Sequence, residues 1–160
     1  MNVKLWKKIL PVLIILVAAF YISNHFYQFM LIQGDSMSPT YHNMQLAILD
    51  RHSRDYTYGD VIAFQCDALK EVLVKRVVAC PGDDVCILNG KLYVNNFPNS
   101  VYDASITFEY AGIAGTPIQL GQEQFFVIGD NVAESKDSRY EVVGVVEKES
   151  VLGKIVIFFW

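Results

Sequence analysis

An apolar, charge-free segment near the N-terminus is the feature that most restricts the fold. Three lysines within the first eight residues precede Ile9–Ile22, fourteen residues without a charged side chain, and no Lys, Arg, Asp or Glu follows before Ile32. A helix needs roughly 20 residues to cross a bilayer, so the continuation supplies the missing length. Lysines on one side only place the N-terminus in the cytoplasm. The sequence thus predicts a cytoplasmic N-terminus and a transmembrane anchor over residues 1–32.

A cleavable signal peptide is the competing interpretation of this segment. Val17–Ala19 offers the small residues of a cleavage site, but cutting there would leave a very short apolar core. An uncleaved anchor therefore fits the pattern better, and residues 33–160 would lie outside the cytoplasm.

The remainder of the chain has the pattern of a single, mostly antiparallel β domain. Short stretches rich in Val, Ile and Phe alternate with turn signals, and Asn89-Gly90 supplies the positive φ angles of a two-residue hairpin turn. Residues 95–121 are rich in loop signals, so we expect an insertion there. The expected strands lie within Gln45–Asp50, Asp60–Cys66, Glu71–Cys80, Val85–Val94, Ser105–Tyr110, Gln124–Asp130 and Ser150–Trp160.

Composition and motifs argue against several classes of function. A net charge of −4 and a pI of about 5.3 provide no basic surface for nucleic acid. His25, His42 and His52 have neither the i, i+4 spacing nor the neighbouring cysteine pair of a metal site. No glycine-rich loop opens a helix that could hold a nucleotide. We therefore expect no metal and no cofactor.

The three cysteines leave one question open. Cys80 and Cys86 flank a turn and could form a disulfide, whereas the odd total, with Cys66, also fits buried free thiols. No histidine accompanies a cysteine in a catalytic motif, so cysteine catalysis is set aside.

One serine and one lysine are the remaining candidates for catalysis. Ser36 lies in the polar turn Gln33–Tyr41, where a lone serine is usually a turn residue. A serine hydroxyl becomes a nucleophile when a base removes its proton, and a lysine can serve once burial lowers its pKa. Lys75 stands in the apolar stretch Glu71–Cys80. A buried strand face would favour its neutral amine, and an exposed face would leave it solvated.

Four segments occur in order along the chain: GDSMSPT, GDVIAF, VKRVVACPGD and GDNVAESKDSR, at residues 34–40, 59–64, 74–83 and 129–139. Together they resemble the conserved boxes of the bacterial type I signal peptidases. The resemblance covers nearly the whole chain. In its length, the chain resembles the compact Gram-positive form of these Ser–Lys endopeptidases. It implies the antiparallel β fold that signal peptidases share with self-cleaving repressors, preceded by one N-terminal transmembrane helix.

The resemblance also implies a role for each matching residue. Ser36 would attack the scissile carbonyl, Lys75 would accept its proton, and Ser135 would hydrogen-bond the lysine and orient it. The backbone N–H of Ser36, with the region around Gly34, would stabilise the oxyanion. Apolar residues of 59–64 and of the strand before Lys75 would line small pockets for alanine. Structural support would come from Arg76, Asp130, Asp137 and Arg139.

Two positions depart from the family pattern. Gly34 stands where some members have a serine whose hydroxyl also stabilises the oxyanion, so we expect an oxyanion hole made mainly of backbone. Ala79 stands where glycine is usual, which leaves the packing behind the lysine in question.

The activity implied is removal of N-terminal signal peptides after an Ala-x-Ala pattern, by an enzyme held in the plasma membrane. The implied partners are preproteins, membrane lipid and the secretion translocon. Tethering enzyme and substrate in one bilayer would raise their effective concentration. Two alternatives stay open: a peptidase dedicated to one client protein, and a non-catalytic, membrane-tethered binding module of the same fold.

Overall fold

A computed structural model describes residues 3–159, apart from the side chains of residues 3–7, 22–24 and 159. One α-helix, α1 (Val3–Phe26), precedes a body made of strands. The strands are β1 (Tyr27–Leu31), β2 (Leu46–Asp50), β3 (Val61–Cys66), β4 (Glu71–Ala79), β5 (Asp84–Leu88), β6 (Lys91–Val94), β7 (Phe97–Pro98), β8 (Ile118–Gln119), β9 (Gln124–Ile128), β10 (Val146–Glu147) and β11 (Val151–Phe159). Short 3₁₀ helices span Gly112–Gly115 and Lys148–Ser150.

The N-terminal helix is apolar and largely uncovered. Leu13, Ile15 and Phe20 are each more than half exposed. Within the described part of the chain, no helix combines the length and the apolar character needed to cross a membrane. Of the three lysines used for the predicted orientation, Lys4 and Lys7 have side chains outside the described residues.

The structure differs from the expected continuous apolar segment at its C-terminal end. The helix stops at Phe26, and the next five residues form β1, which pairs with β2 in the register Met30↔Ala47. Ile32, directly after β1, is 2% exposed. Pairing with β2 satisfies the backbone polar groups of β1 that face it, so these residues belong to the edge of the β body.

Two antiparallel sheets form that body. The larger has the strand order β1-β2-β11-β3-β4-β9-β10, and the smaller has the order β7-β6-β5-β8. One apolar cluster packs between them and includes Val78, Phe126, Val85, Leu92 and Phe108. The prediction of a mostly antiparallel β fold is therefore confirmed.

Within the described residues, which exclude Trp160, six of the seven expected strand segments are confirmed. The hairpin turn has φ angles of 49° at Asn89 and 73° at Gly90. The strand predicted over Ser105–Tyr110 is wrong. Phe108 packs inward, 4% exposed, without a strand ladder, and Asp103 accepts a hydrogen bond from the Ser105 N–H in a turn. Core packing, and not strand pairing, explains the apolar pattern there. The rest of 95–121 contains only short elements, as expected of an insertion.

Candidate active site

The turn that carries Ser36 is fixed on both sides. Gly34 has a φ of +83°, a left-handed conformation that suits glycine, and its N–H donates to Asn43 Oδ1 at 2.9 Å. The Ser38 N–H donates to the Asp35 carbonyl at 3.0 Å. Met37 is 1% exposed and packs in the core with Ile32 and its neighbours. The serine side chain, half-buried, is therefore presented from a rigid turn.

Lys75 meets this serine from the middle of β4. Its Nζ lies 2.7 Å from Ser36 Oγ and 3.0 Å from the Val74 carbonyl oxygen. The side chain is buried, and desolvation lowers the pKa of Lys75 to about 8, against the opposing effect of the Asp137 and Asp130 carboxylates. A nucleophile and a base within hydrogen-bond reach form the geometry that activates a serine.

The chain that follows β9 packs against the back of the serine. A side chain at Gly129 would overlap both the carbonyl oxygen of Ser36 and the hydroxyl of Ser135. The backbone N–H of Asn131 donates to the Ser36 carbonyl at 3.0 Å. Asn131 is a site residue that was not predicted from the sequence; its place in the box at 129–139 was the signal that could have found it.

Ser135 does not make the contact expected of it. It is 1% exposed, and among the described residues its hydroxyl has no hydrogen-bond partner. The predicted hydrogen bond to Lys75 is therefore not formed; the lysine Nζ instead contacts Ser36 Oγ and the Val74 carbonyl oxygen.

A buried ion pair holds the segment that supports the serine. Arg139 Nε lies 2.8 Å from Asp137 Oδ1, and the two side chains are 1% and 0% exposed. Arg139 also donates to the carbonyls of Val132 and Ser135, at 2.8 and 3.2 Å, and Asp137 accepts from the Gly129 N–H at 3.1 Å. The pair thus ties the chain on either side of Asn131 to one frame.

A second ion pair lies nearer the surface. Arg76 follows Lys75 in β4, so its side chain points to the opposite face of the sheet. Its Nε donates to Asp130 Oδ1 at 2.7 Å, and its Nη1 donates to the Gly59 carbonyl at 2.7 Å. This pair ties β4 to the chain after β9.

A cleft of about 740 Å³ opens beside Ser36 and Lys75. Its walls come from β1 with the residues after it and from the first half of β4: Met30, Leu31, Ile32, Val72, Leu73 and Val74. The strand before Lys75 lines the cleft as expected. Residues 59–64 do not line it, because Ile62 and Ala63 are fully buried in the core. The opposite wall is instead β1, which was predicted to belong to the anchor.

The two departures from the family pattern occupy different surroundings. A side chain at Gly34 would meet no atom within 4 Å, although its φ is strained for other residues. Ala79 is fully buried and pairs with Phe126 of β9, so its methyl group is accommodated in the core.

Other groups named from the sequence do not join this site. All three cysteines are free thiols, so Cys80 and Cys86 form no disulfide. Within the described residues, no three His, Cys, Asp or Glu side chains are grouped as metal ligands.

Known proteins resemble this chain over most of its length. The family model described as "Signal peptidase, peptidase S26" matches residues 5–160. The chain is 32% identical to "Probable signal peptidase I-2" of Synechocystis over 81% of its own length and 61% of that protein. It is 28% identical to "Signal peptidase I P" of Bacillus subtilis subsp. natto, over 99% of this chain and 90% of the relative.

A solved structure shows the same fold. The crystal structure of a signal peptidase I from Enterococcus faecalis superposes with a TM-score of 0.52 at 24% identity, covering 64% of this chain and 97% of the other. The match of a family model to nearly the whole chain establishes the family: this protein belongs to the signal peptidases of peptidase family S26.

Proposed function

We propose that this protein is a serine endopeptidase that removes signal peptides from exported preproteins with a Ser36–Lys75 dyad. The observation that carries the proposal is the 2.7 Å separation between Lys75 Nζ and Ser36 Oγ. Burial favours the neutral amine, which a general base requires. Membership of the signal peptidase family supports the substrate class.

The chemistry follows from these two groups. The Lys75 amine takes the proton of Ser36 as Oγ attacks the scissile carbonyl, and the resulting ammonium then protonates the leaving amine. The freed lysine next activates a water that hydrolyses the acyl-enzyme. The Ser36 N–H, in the turn after Gly34, is the proposed donor to the oxyanion.

The shape of the cleft supports an extended substrate. Within the described residues, β4 pairs with β9 only from Arg76 to Ala79, so the edge of residues 71–74 on that side is available for pairing. A peptide could add there as a strand, with its alternate side chains facing the apolar walls. Small side chains such as alanine would fit close to Ser36, where Ile32 and Val74 approach.

We also propose that the N-terminal helix attaches the enzyme to the plasma membrane, with the β body outside. Support comes from the charge-free run Ile9–Ile22 and from exposed apolar side chains beside it in the sheet, including Tyr27, Phe29 and Ile157. Carbonate extraction of cell membranes tests attachment, and protease digestion of intact spheroplasts tests the side. Release by carbonate, or protection of the β body from external protease, would contradict the proposal.

Cleavage of a preprotein tests the activity. Detergent-solubilised wild type, Ser36→Ala and Lys75→Met are each incubated with a preprotein whose signal ends in Ala-x-Ala, after circular dichroism confirms folding. Lys148→Met, at an exposed lysine, is the matched control. Wild type and the control should cut after the second alanine, and both dyad variants should be inert. A folded wild type that cuts only a single client protein would favour the dedicated peptidase. A folded wild type that binds the preprotein without cutting it would favour the binding module.

A further inference from the structure

Asn131 contacts the peptide groups on both sides of Ser36. Its side-chain Nδ2 donates to the Asp35 carbonyl at 3.3 Å, and its backbone N–H donates to the Ser36 carbonyl at 3.0 Å. The dyad chemistry uses neither contact. The two hydrogen bonds nevertheless bracket the nucleophile with a residue that lies far from it in sequence.

The surroundings of the Asn131 amide determine which way it points. Besides the Asp35 carbonyl, it lies 3.2 Å from Glu134 Oε2. Both neighbours are acceptors, so the NH₂ end of the amide must face them, since the oxygen end would meet two other oxygens. Asn131 is thus a donor to the Asp35 carbonyl.

That carbonyl belongs to the same peptide unit as the proposed oxyanion donor. The Asp35 C=O and the Ser36 N–H lie in one planar group and point in opposite directions. Holding the carbonyl therefore fixes the direction of the N–H. A hydrogen bond accepted by the carbonyl also polarises the amide and strengthens its N–H as a donor.

Asn131 is itself held firmly. Its carbonyl accepts from the N–H groups of Glu134 and Ser135, at 3.1 and 2.9 Å, and the buried Arg139 binds the carbonyl of Ser135. The frame built on Arg139 therefore extends through Asn131 to the peptide before the nucleophile.

We propose that Asn131 is a positioning residue that aims the Ser36 N–H at the developing oxyanion. This inference rests on the proposed function, because it requires Ser36 to form a tetrahedral intermediate. The Ser36 N–H meets the oxyanion only in the transition state, so loss of the Asn131 side chain should lower kcat more than it raises KM.

The test compares side-chain variants that leave the backbone bond from residue 131 in place. Asn131→Ala removes the donor, and Asn131→Asp keeps the size but replaces the donor with a carboxylate. Asn99→Ala is the matched control, since Asn99 Nδ2 also donates to a backbone carbonyl, that of Val78, at 3.0 Å. For each protein, kcat, KM, the pH midpoint of kcat/KM and the melting temperature are measured on an Ala-x-Ala preprotein.

We expect Asn131→Ala to lower kcat about tenfold, less than the loss on removing a hole donor outright, because the Ser38 N–H still holds the Asp35 carbonyl. Asn131→Asp should lose at least as much. For Asn131→Ala, KM should stay within about twofold and the pH midpoint should not move, because this variant adds no charge near Lys75 and keeps the Ser38 hydrogen bond to the Asp35 carbonyl. Asn99→Ala should keep the wild-type kcat.

The two proposals fail in distinguishable ways. If wild type cleaves nothing, or Ser36→Ala still cleaves, the proposed function is overturned and this inference with it. If wild type cleaves and Ser36→Ala does not, a wild-type kcat in Asn131→Ala overturns the inference alone. So does an equal loss of kcat in Asn99→Ala, since the effect would then follow from general destabilisation.

Discussion

Lys75 Nζ lies 2.7 Å from Ser36 Oγ, and the lysine is 3% exposed. The contact brings together two residues from a turn and from the fifth strand of a seven-stranded sheet. Because burial lowers the pKa of Lys75 to about 8, the base is partly neutral near physiological pH.

The pKa of Lys75 predicts the direction of the pH dependence. Only the neutral amine accepts the serine proton, so kcat/KM should rise with pH, with a midpoint near 8 and a plateau above it. Steady-state cleavage of a preprotein across pH 6–10 (roughly 2 units either side of the midpoint) checks this. A profile that is flat, or that falls as pH rises through 8, would contradict a lysine base.

The same burial makes stability depend on pH. The unfolded chain binds the lysine proton more tightly than the folded chain, because the folded pKa is about 8 and the ordinary value is 10.5. Wild-type stability should therefore rise with pH between these two values. Lys75→Met lacks this dependence and should be more stable than wild type below pH 8, by about 3 kcal/mol. Urea unfolding at pH 7 and pH 10 measures the difference in unfolding free energy between Lys75→Met and wild type. A difference that is the same at both pH values would contradict a lowered pKa of Lys75 in the folded protein.

Gly129 should tolerate no side chain. A methyl group there would overlap the Ser36 carbonyl and the Ser135 hydroxyl, so Gly129→Ala must displace the turn that carries the nucleophile. We expect loss of nearly all activity and a lower melting temperature. Gly115→Ala is the matched control, because its methyl group would meet only the Ala111 Cβ at 3.7 Å. Equal behaviour of the two variants would rule out a tight contact at Gly129.

Arg139 should be far more important to stability than a surface cation. Arg139→Met leaves the Asp137 carboxylate buried without its partner, which costs about 3–5 kcal/mol of unfolding free energy. Lys148→Met breaks an exposed pair with Glu123 and should cost no more than about 1 kcal/mol. Chemical denaturation followed by tryptophan fluorescence compares them. Similar losses would show that the Arg139 pair is not held away from solvent.

Removal of the hydroxyl should change the free energy of unfolding differently at two buried serines. Ser135 Oγ has no partner among the described residues, so Ser135→Ala should not lower the free energy of unfolding. Ser138 Oγ accepts from the Val127 N–H at 3.0 Å, so Ser138→Ala leaves a buried donor unpaired and should cost about 1–3 kcal/mol. Destabilisation of the same size in both would imply that Ser135 does have a partner in solution.

Local sequence patterns were sufficient where the structure depends on neighbours along the chain. The Asn89-Gly90 turn was predictable because two adjacent residues with positive φ determine it. Apolar stretches bounded by turn signals located β2, β3, β4 and β9 because each strand buries its own side chains. The same reasoning was wrong at Ser105–Tyr110, where inward packing of Phe108 imitates a strand.

The chemistry available to this protein can be read from its amino acids alone: a serine in a tight turn, a lysine within an apolar strand, and a family box at 129–139. How those parts meet depends on the tertiary fold. In that fold, Tyr27–Leu31 form an edge strand that lines the cleft and not part of the helix. Ser135 lacks the expected hydrogen bond among the described residues, and Asn131 donates to the peptide carbonyl before Ser36. These contacts join segments distant in sequence, and long-range packing and hydrogen bonding leave no local pattern from which to predict them.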